Sequence, residues 1–247
     1  MFVLKSPEEI RTMHEGGKIL ARILKKVGCE TRAGVNASYL NKLAELEIEK
    51  WGGEPAFKNY EGFPASLCVS INSEVVHGVP RGKIICSGDI VGLDLGLKYK
   101  NLYTDAAITV IVGKVSREIQ QFVQDCRKAL YLGIRQAKSG HHLGDISSTI
   151  QDFVEGKGYS VVKQLVGHGI GYQVHEEPRV PNYGQKGEGL LLQPGMTFCI
   201  EPMINIGEAQ VKIKDDGHTF ETMDGSLSAH FEHTVAITEK GCLVLTE

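Results

Sequence analysis

The chain has 247 residues, 42% hydrophobic and 23% charged, with a net charge of −3. That is the composition of a soluble globular protein able to bury a sizeable core. No run of Lys or Arg forms a nucleic-acid groove or a membrane-binding face, and no apolar run approaches a membrane span.

In chain order, Met1-Phe2-Val3-Leu4-Lys5 is too short for a signal h-region and runs straight into a helix start. Ser6-Pro7-Glu8-Glu9 supplies a cap, a first-turn proline and a capping-box acid. Ile10, Met13, Leu20, Leu24 and Val27 then follow a helical stripe, and Leu40, Leu43, Ala44, Ile48 and Trp51 repeat the period. Strand-like runs are predicted near 67–71, 89–97 and 103–112. Helical stripes return at Ile119, Phe122, Val123, Cys126, Leu130 and Ile134, and at Leu143, Ile146, Ile150, Phe153 and Val154. Further strands are predicted near 161–166, 196–204, 230–237 and 242–245.

The order of two helices followed by strands therefore occurs twice, and the echo extends to residues. Gly34 and Gly140, Gly88 and Gly195, and Asp94 and Glu201 stand 106 or 107 residues apart. His77-Gly78-Val79-Pro80 echoes His175-Glu176-Glu177-Pro178. An α+β fold with a pseudo-two-fold follows, as one domain over 1–247, internally duplicated at about 1–113 and 114–247. The six cysteines are scattered with no Cys-x-x-Cys pair, so they are expected to be reduced, and the expected compartment is the cytoplasm.

Asp94, Asp105, Glu201 and Glu232 interrupt apolar strand-like runs. By strand alternation, Asp94 faces the same way as Gly92 and Gly96, Asp105 as Ala107, and Glu232 as Thr234, which leaves room beside each acid. Glu201 is flanked by Cys199 and Met203. Buried carboxylates that converge repel one another, and no Lys or Arg lies in runs 89–96, 103–112, 196–204 or 229–237 to neutralise them. Two divalent cations would balance the four charges. His168, set among Gly167, Gly169 and Gly171, is the best fifth ligand. An oxygen-rich set with one imidazole suits Mn, Fe, Co or Zn.

Rival motifs fail. His175-Glu176 begins like the zincin motif, but Arg179 stands where the second histidine is required. Gly167-x-Gly169-x-Gly171 lacks the dinucleotide spacing, and there is no Gly-x-Ser-x-Gly elbow.

With these residues assembled, the sequence resembles the type I methionine aminopeptidases over nearly its whole length. The signatures are Ser70-Ile71-Asn72 through Pro80, Gly88-Asp89-Ile90-Val91 through Asp94, Gly167 through Pro178, Pro194-Gly195-Met196 through Met203, and Ser228-Ala229 through Thr234. The resemblance implies a pita-bread fold, a curved, mainly antiparallel sheet backed by helices. It implies removal of N-terminal methionine from peptides and nascent chains at the ribosome, with a small second residue preferred. It implies two divalent metal ions, with Asp94 on one, Asp105 and Glu232 bridging, and His168 and Glu201 on the other. Glu201 would shuttle the proton, His175 would stabilise the developing oxyanion, and His77 would contact the peptide. A monomer is expected.

Phe57, Tyr60, Phe63 and Cys68 fall where the family builds its methionine pocket. Phe57 replaces a common cysteine, Val174 a frequent aromatic, His218 a frequent tryptophan, and Leu95-Gly96 a threonine-bearing pattern. Phe2 is large, so the family's rule implies that Met1 is kept. Two other activities are compatible with this kind of fold. One is an aminopeptidase P or prolidase activity, against which the short chain argues. The other is a non-catalytic pita-bread binding module, against which the complete ligand set argues.

Overall fold

In a computed structural model of the protein, which describes residues 3–247, Ser6 caps the first helix. Its hydroxyl accepts from Glu9 N–H and the Glu9 carboxylate accepts from Ser6 N–H, completing the capping box. Met1 and Phe2, on which the retention of Met1 bears, lie outside the described residues.

The first elements are α1 (Pro7–Glu30), α2 (Ala37–Lys50), β1 (Glu54–Pro55), β2 (Leu67–Ile71), β3 (Glu74–Val76), β4 (Ile90–Tyr99) and β5 (Leu102–Ile111). Next come α3 (Arg117–Gln136), α4 (Leu143–Glu155), β6 (Ser160–Val161), β7 (Gly167–Gly169), β8 (Glu176–Val180) and β9 (Thr197–Ile200). The rest are β10 (Met203–Asn205), β11 (Val211–Ile213), β12 (Phe220–Thr222), β13 (Ser228–His230), β14 (Glu232–Thr238) and β15 (Gly241–Val244).

The four predicted helices and the runs at β2, β4, β5 and β15 are present. Three predicted strands differ. The run near 161–166 pairs only at Ser160–Val161. The run near 196–204 breaks at Glu201-Pro202, because proline has no N–H for a ladder, and its two parts enter different sheets. The run near 230–237 breaks at Phe231, and its two parts likewise enter different sheets.

The main sheet runs β1-β4-β5-β14-β9-β7-β8, with β2 also on β4 and β15 also on β14, and every pairing is antiparallel. Alternation sorts its side chains. Val91, Leu93, Leu95 and Leu97 of β4 join Ile23, Leu24, Leu40 and Ile48 of α1 and α2 in one core. Phe198 and Ile200 of β9 and Val235 and Ile237 of β14 join Phe122, Leu130, Ile146 and Ile150 of α3 and α4 in another. Each such fully buried side chain contributes roughly 1.5–3 kcal/mol, so the helix-covered face holds the sheet in place. The opposite face carries the acids. Two small three-stranded sheets, β13-β10-β6 and β11-β12-β3, complete the fold.

Candidate metal centre

Strand register gathers the predicted ligands into two neighbouring rows. In the first, Cys68 pairs with Asp94, Asp94 with Ala107, and Ala107 with Glu232. The β9–β14 register pairs Ile200 with His233, so the next residue, Glu201, stands opposite Glu232. In the second row Gly96 pairs with Asp105, and Thr234 with Cys199. Gly169 pairs with Phe198, so His168 stands beside Cys199. Thr234 takes over where the β5–β14 ladder ends, its hydroxyl accepting from Asp105 N–H (2.9 Å) and donating to Asp105 C=O (2.8 Å).

Donor atoms of Asp105, His168, Cys199 and Glu232 all lie within 4.8 Å of one another. His168 Nδ1–H donates to the Gly169 carbonyl at 3.0 Å, which leaves Nε2 bare and 3.6 Å from Glu201 Oε1. The flanking glycines are obligatory. A Cβ at Gly167 would lie 2.4 Å from the Cys199 carbonyl, and one at Gly169 would lie 2.2 Å from the Glu177 carbonyl.

Asp94, Asp105, Glu201 and Glu232 are all buried. Among the described residues none of them pairs with a Lys or Arg, and Asp94 Oδ1, Asp105 Oδ1 and Glu232 Oε1 have no hydrogen-bond partner. Burial, reinforced by neighbouring negative charge, pushes Asp94, Glu201 and Glu232 well above the usual carboxylate range. Burial raises Asp105 to about 7. Burial also lowers His168 to about 3 and His77 to about 4, and it lowers His175. Orphaned acceptors beside a bare imidazole nitrogen, with no basic side chain in contact, form a donor set that fits divalent cations.

Above the rows opens a cavity of about 850 Å³, which Asp94, Asp105, His168, Glu201 and Glu232 face from below. His77 and His175 line it, with the His175 ring 4.3 Å from that of His168, centroid to centroid. Phe57, Tyr60, Phe63, Cys68 and His218 line it as well. Tyr60 meets His175 edge-on at 5.2 Å, and Phe63 meets His218 at 5.6 Å. Val174 is not on the cavity wall; it is buried behind it, in the apolar cluster of Phe57, Phe63 and Cys68. The Phe57 ring occupies the space a side chain at position 96 would need, since a Cβ there would lie 2.6 Å from Phe57 Cε1. The two departures at Phe57 and Gly96 are therefore complementary.

The segment carrying His175 is strapped from far away in sequence. The Lys5 ammonium, its side chain 1% exposed, forms an ion pair with Glu176. The other Glu176 oxygen accepts from the N–H groups of Tyr172 and Gln173, and the Tyr172 hydroxyl donates to Glu9 at 2.6 Å. A Cβ at Gly171 would collide with the Lys5 stem.

Two residues beside the acids were not picked out from sequence as part of the centre. Cys199 shares a strand face with Glu201 but looks like a small buried hydrophobe. His230 is fully buried, with an unpartnered Nε2 3.5 Å from Glu201 Oε2. Its same-parity spacing before Glu232 was the available signal, obscured by the break at Phe231.

Comparison with known proteins agrees with this geometry. Residues 11–239 match Metallopeptidase family M24. A methionine aminopeptidase of Clostridium perfringens is 45% identical over 246 residues, covering 100% of this chain and 99% of that one. The crystal structure of a methionine aminopeptidase from Thermotoga maritima superimposes with a TM-score of 0.98 at 44% identity, with complete coverage of both chains. The prolidase of Pyrococcus furiosus has a TM-score of 0.81 at 25% identity, and the match covers 99% of this chain but 65% of that one. The pita-bread fold, the acid-lined sheet face and these likenesses converge: the chain belongs to metallopeptidase family M24, among the methionine aminopeptidases.

Proposed function

We propose that this protein hydrolyses the N-terminal methionine from peptides and nascent chains, preferring a small second residue, and that Asp94, Asp105, His168, Glu201 and Glu232 hold two divalent ions. The observation that carries this reading is the set of buried acids with unpartnered oxygens on one sheet face, beneath a cavity open to a peptide end. Asp94 would hold one ion, Asp105 and Glu232 both, and His168 and Glu201 the other. Bound there, the ions would supply the counter-charge and lower the pKa of a water enough for it to attack an amide near neutral pH.

The remaining work falls to the chain. Glu201 takes the proton from the attacking water and passes it to the leaving nitrogen. His175 donates a hydrogen bond to the carbonyl oxygen as charge develops, held by the Glu176 strap. His77, edge-on to Phe220, contacts the peptide beyond the scissile bond. Phe57, Tyr60, Phe63, Cys68 and His218 enclose the methionine side chain, with Val174 packed behind them.

We further read the chain as one catalytic domain, internally duplicated at about 1–113 and 114–247. Matched turns support this: Gly34 and Gly140, at φ +86° and +85°, precede α2 and α4, and Gly88 and Gly195, at +102° and +94°, precede β4 and β9. No helix among the described residues is long and apolar enough to cross a membrane. Action as a monomer in the cytoplasm, on chains leaving the ribosome, is part of the proposal.

The test is hydrolysis of Met-Ala-Ser and Ala-Pro-Ala by chelator-stripped protein with Mn, Fe, Co or Zn restored singly. Metal-dependent release of methionine from the first peptide is expected. Cleavage that requires proline would favour the prolidase reading, which the lower identity to prolidase disfavours.

A further inference from the structure

We propose that Cys199 is a thiol ligand of this metal centre, adding a soft sulfur donor to the carboxylates and imidazole. The inference rests on the metal reading above and extends its ligand set. Three observations carry it. First, Cys199 Sγ belongs to the group of donor atoms, with Asp105, His168 and Glu232, that lie mutually within 4.8 Å. Ligands about 2.0–2.3 Å from one ion lie within that span of each other. Second, the two carboxylates of that group are buried, and each has an unpartnered oxygen, Asp105 Oδ1 and Glu232 Oε1.

Third, the hydrogen bonding around the thiol leaves its sulfur free. The single Thr234 hydroxyl proton goes to the Asp105 carbonyl at 2.8 Å. In the 3.6 Å contact between Cys199 Sγ and Thr234 Oγ1, the thiol must therefore be the donor. Among the described residues no protein group donates a hydrogen bond to the sulfur. Cys68 lies in the other row, next to Asp94, and falls outside the group.

On metal binding one S–H bond breaks and one sulfur–metal bond forms. The proton leaves to solvent, and neither oxidant nor reductant is needed. A site of three carboxylates, one imidazole and one thiolate favours thiophilic ions such as Zn²⁺ over Mn²⁺, whereas the carboxylate–imidazole set alone discriminates less.

The experiment is anaerobic titration of the chelator-stripped full-length protein with Co²⁺, read by absorption, for the wild type, Cys199→Ser, Cys199→Thr and Cys68→Ser. A near-ultraviolet sulfur-to-cobalt charge-transfer band is expected in the wild type and in Cys68→Ser. It should vanish in both Cys199 variants while the visible d–d bands of bound cobalt remain. Competition against a chromophoric chelator should show the preference for Zn²⁺ over Mn²⁺ falling roughly 10- to 100-fold without Cys199, the scale on which lost metal-site partners act. Bound cobalt with d–d bands but no sulfur band in the wild type overturns the inference and leaves the carboxylate–imidazole reading intact. A band that survives loss of Cys199, or disappears with Cys68, overturns it as well. Failure to bind cobalt at all overturns both readings. If one Cys199 variant does not fold, the other and the wild-type spectrum decide.

Discussion

Replacing Lys5 by methionine keeps the apolar stem that fills the space beside Gly171 and removes only the charge. Glu176, its side chain 12% exposed, would then lose its one cationic partner but keep the N–H groups of Tyr172 and Gln173. Removing one member of a buried ion pair costs about 3–5 kcal/mol, and the surviving donors argue for the lower end, about 3 kcal/mol. For a chain of this size each kcal/mol moves Tm by about 2–4 °C, so Lys5→Met should lower Tm by about 6–12 °C. Urea denaturation at fixed pH provides the free energy, and a cycle with Glu176→Gln isolates the coupling. Lys5→Met/Glu176→Gln should recover most of the loss, because no unpaired charge remains. Turnover of Met-Ala-Ser by Lys5→Met should fall by about tenfold or more with a smaller change in KM, since a displacement of about 1 Å near the chemistry can cost about 10²-fold. A stability loss below about 0.5 kcal/mol, as for a surface substitution, or strictly additive single losses, would refute the strap.

The metal-free protein should lose stability as pH rises from about 4 to about 7. Asp94, Glu201 and Glu232, raised by burial, and Asp105, at about 7, keep protons that the unfolded chain has already released. Their contribution is complete below the unfolded carboxyl pKa of about 4 and is lost as pH climbs through the folded values. Restoring Zn²⁺ or Mn²⁺ should flatten the profile, and thermal melts across that range check it; a flat metal-free profile contradicts the account. Glu201→Gln should lower kcat about 10²- to 10⁴-fold on Met-Ala-Ser, as loss of a proton shuttle does, measured at saturating substrate and metal. Gly96→Ala should cost about 1–3 kcal/mol by overpacking against Phe57. Phe57→Ala should relieve only part of this, because the new Cβ would still lie 2.8 Å from Ala56 Cβ; urea midpoints of the singles and the double decide.

What could be read in advance was what local chemistry dictates. The Ser6–Glu9 capping box forms within four residues, and β4 and β5 are each ten residues of clean alternation, so their edges and faces were legible. The four acids stood out because a charge inside an apolar strand must be answered by something. Strands β3, β11 and β12 went unread because each is three residues long, and β3 and β12 meet only across a long stretch of chain. Glu201-Pro202 divided a run that hydropathy presented as continuous, since hydropathy is blind to a missing N–H. Cys199 and His230 carry no excess charge, so alternation alone could not separate a ligand from a packed core residue. The Lys5–Glu176 pair joins positions 171 residues apart, and only the folded chain brings them together.

The joint between β5 and β14 has two register pairs, Glu232 with Ala107 and His233 with Ala106, whereas the neighbouring β4–β5 joint has ten. Mutually repelling carboxylates sit on either side of this narrow seam, Asp94 and Asp105 on one bank, Glu201 and Glu232 on the other. An unscreened site therefore pries at a narrow line in the sheet, and cations that answer the repulsion act as rivets across it. Loading state becomes a mechanical variable. The amide hydrogens of Asp105 and Ala107, which point into this seam, should exchange with deuterium sooner in metal-depleted than in metal-loaded protein, while those in the middle of β4 keep their pace.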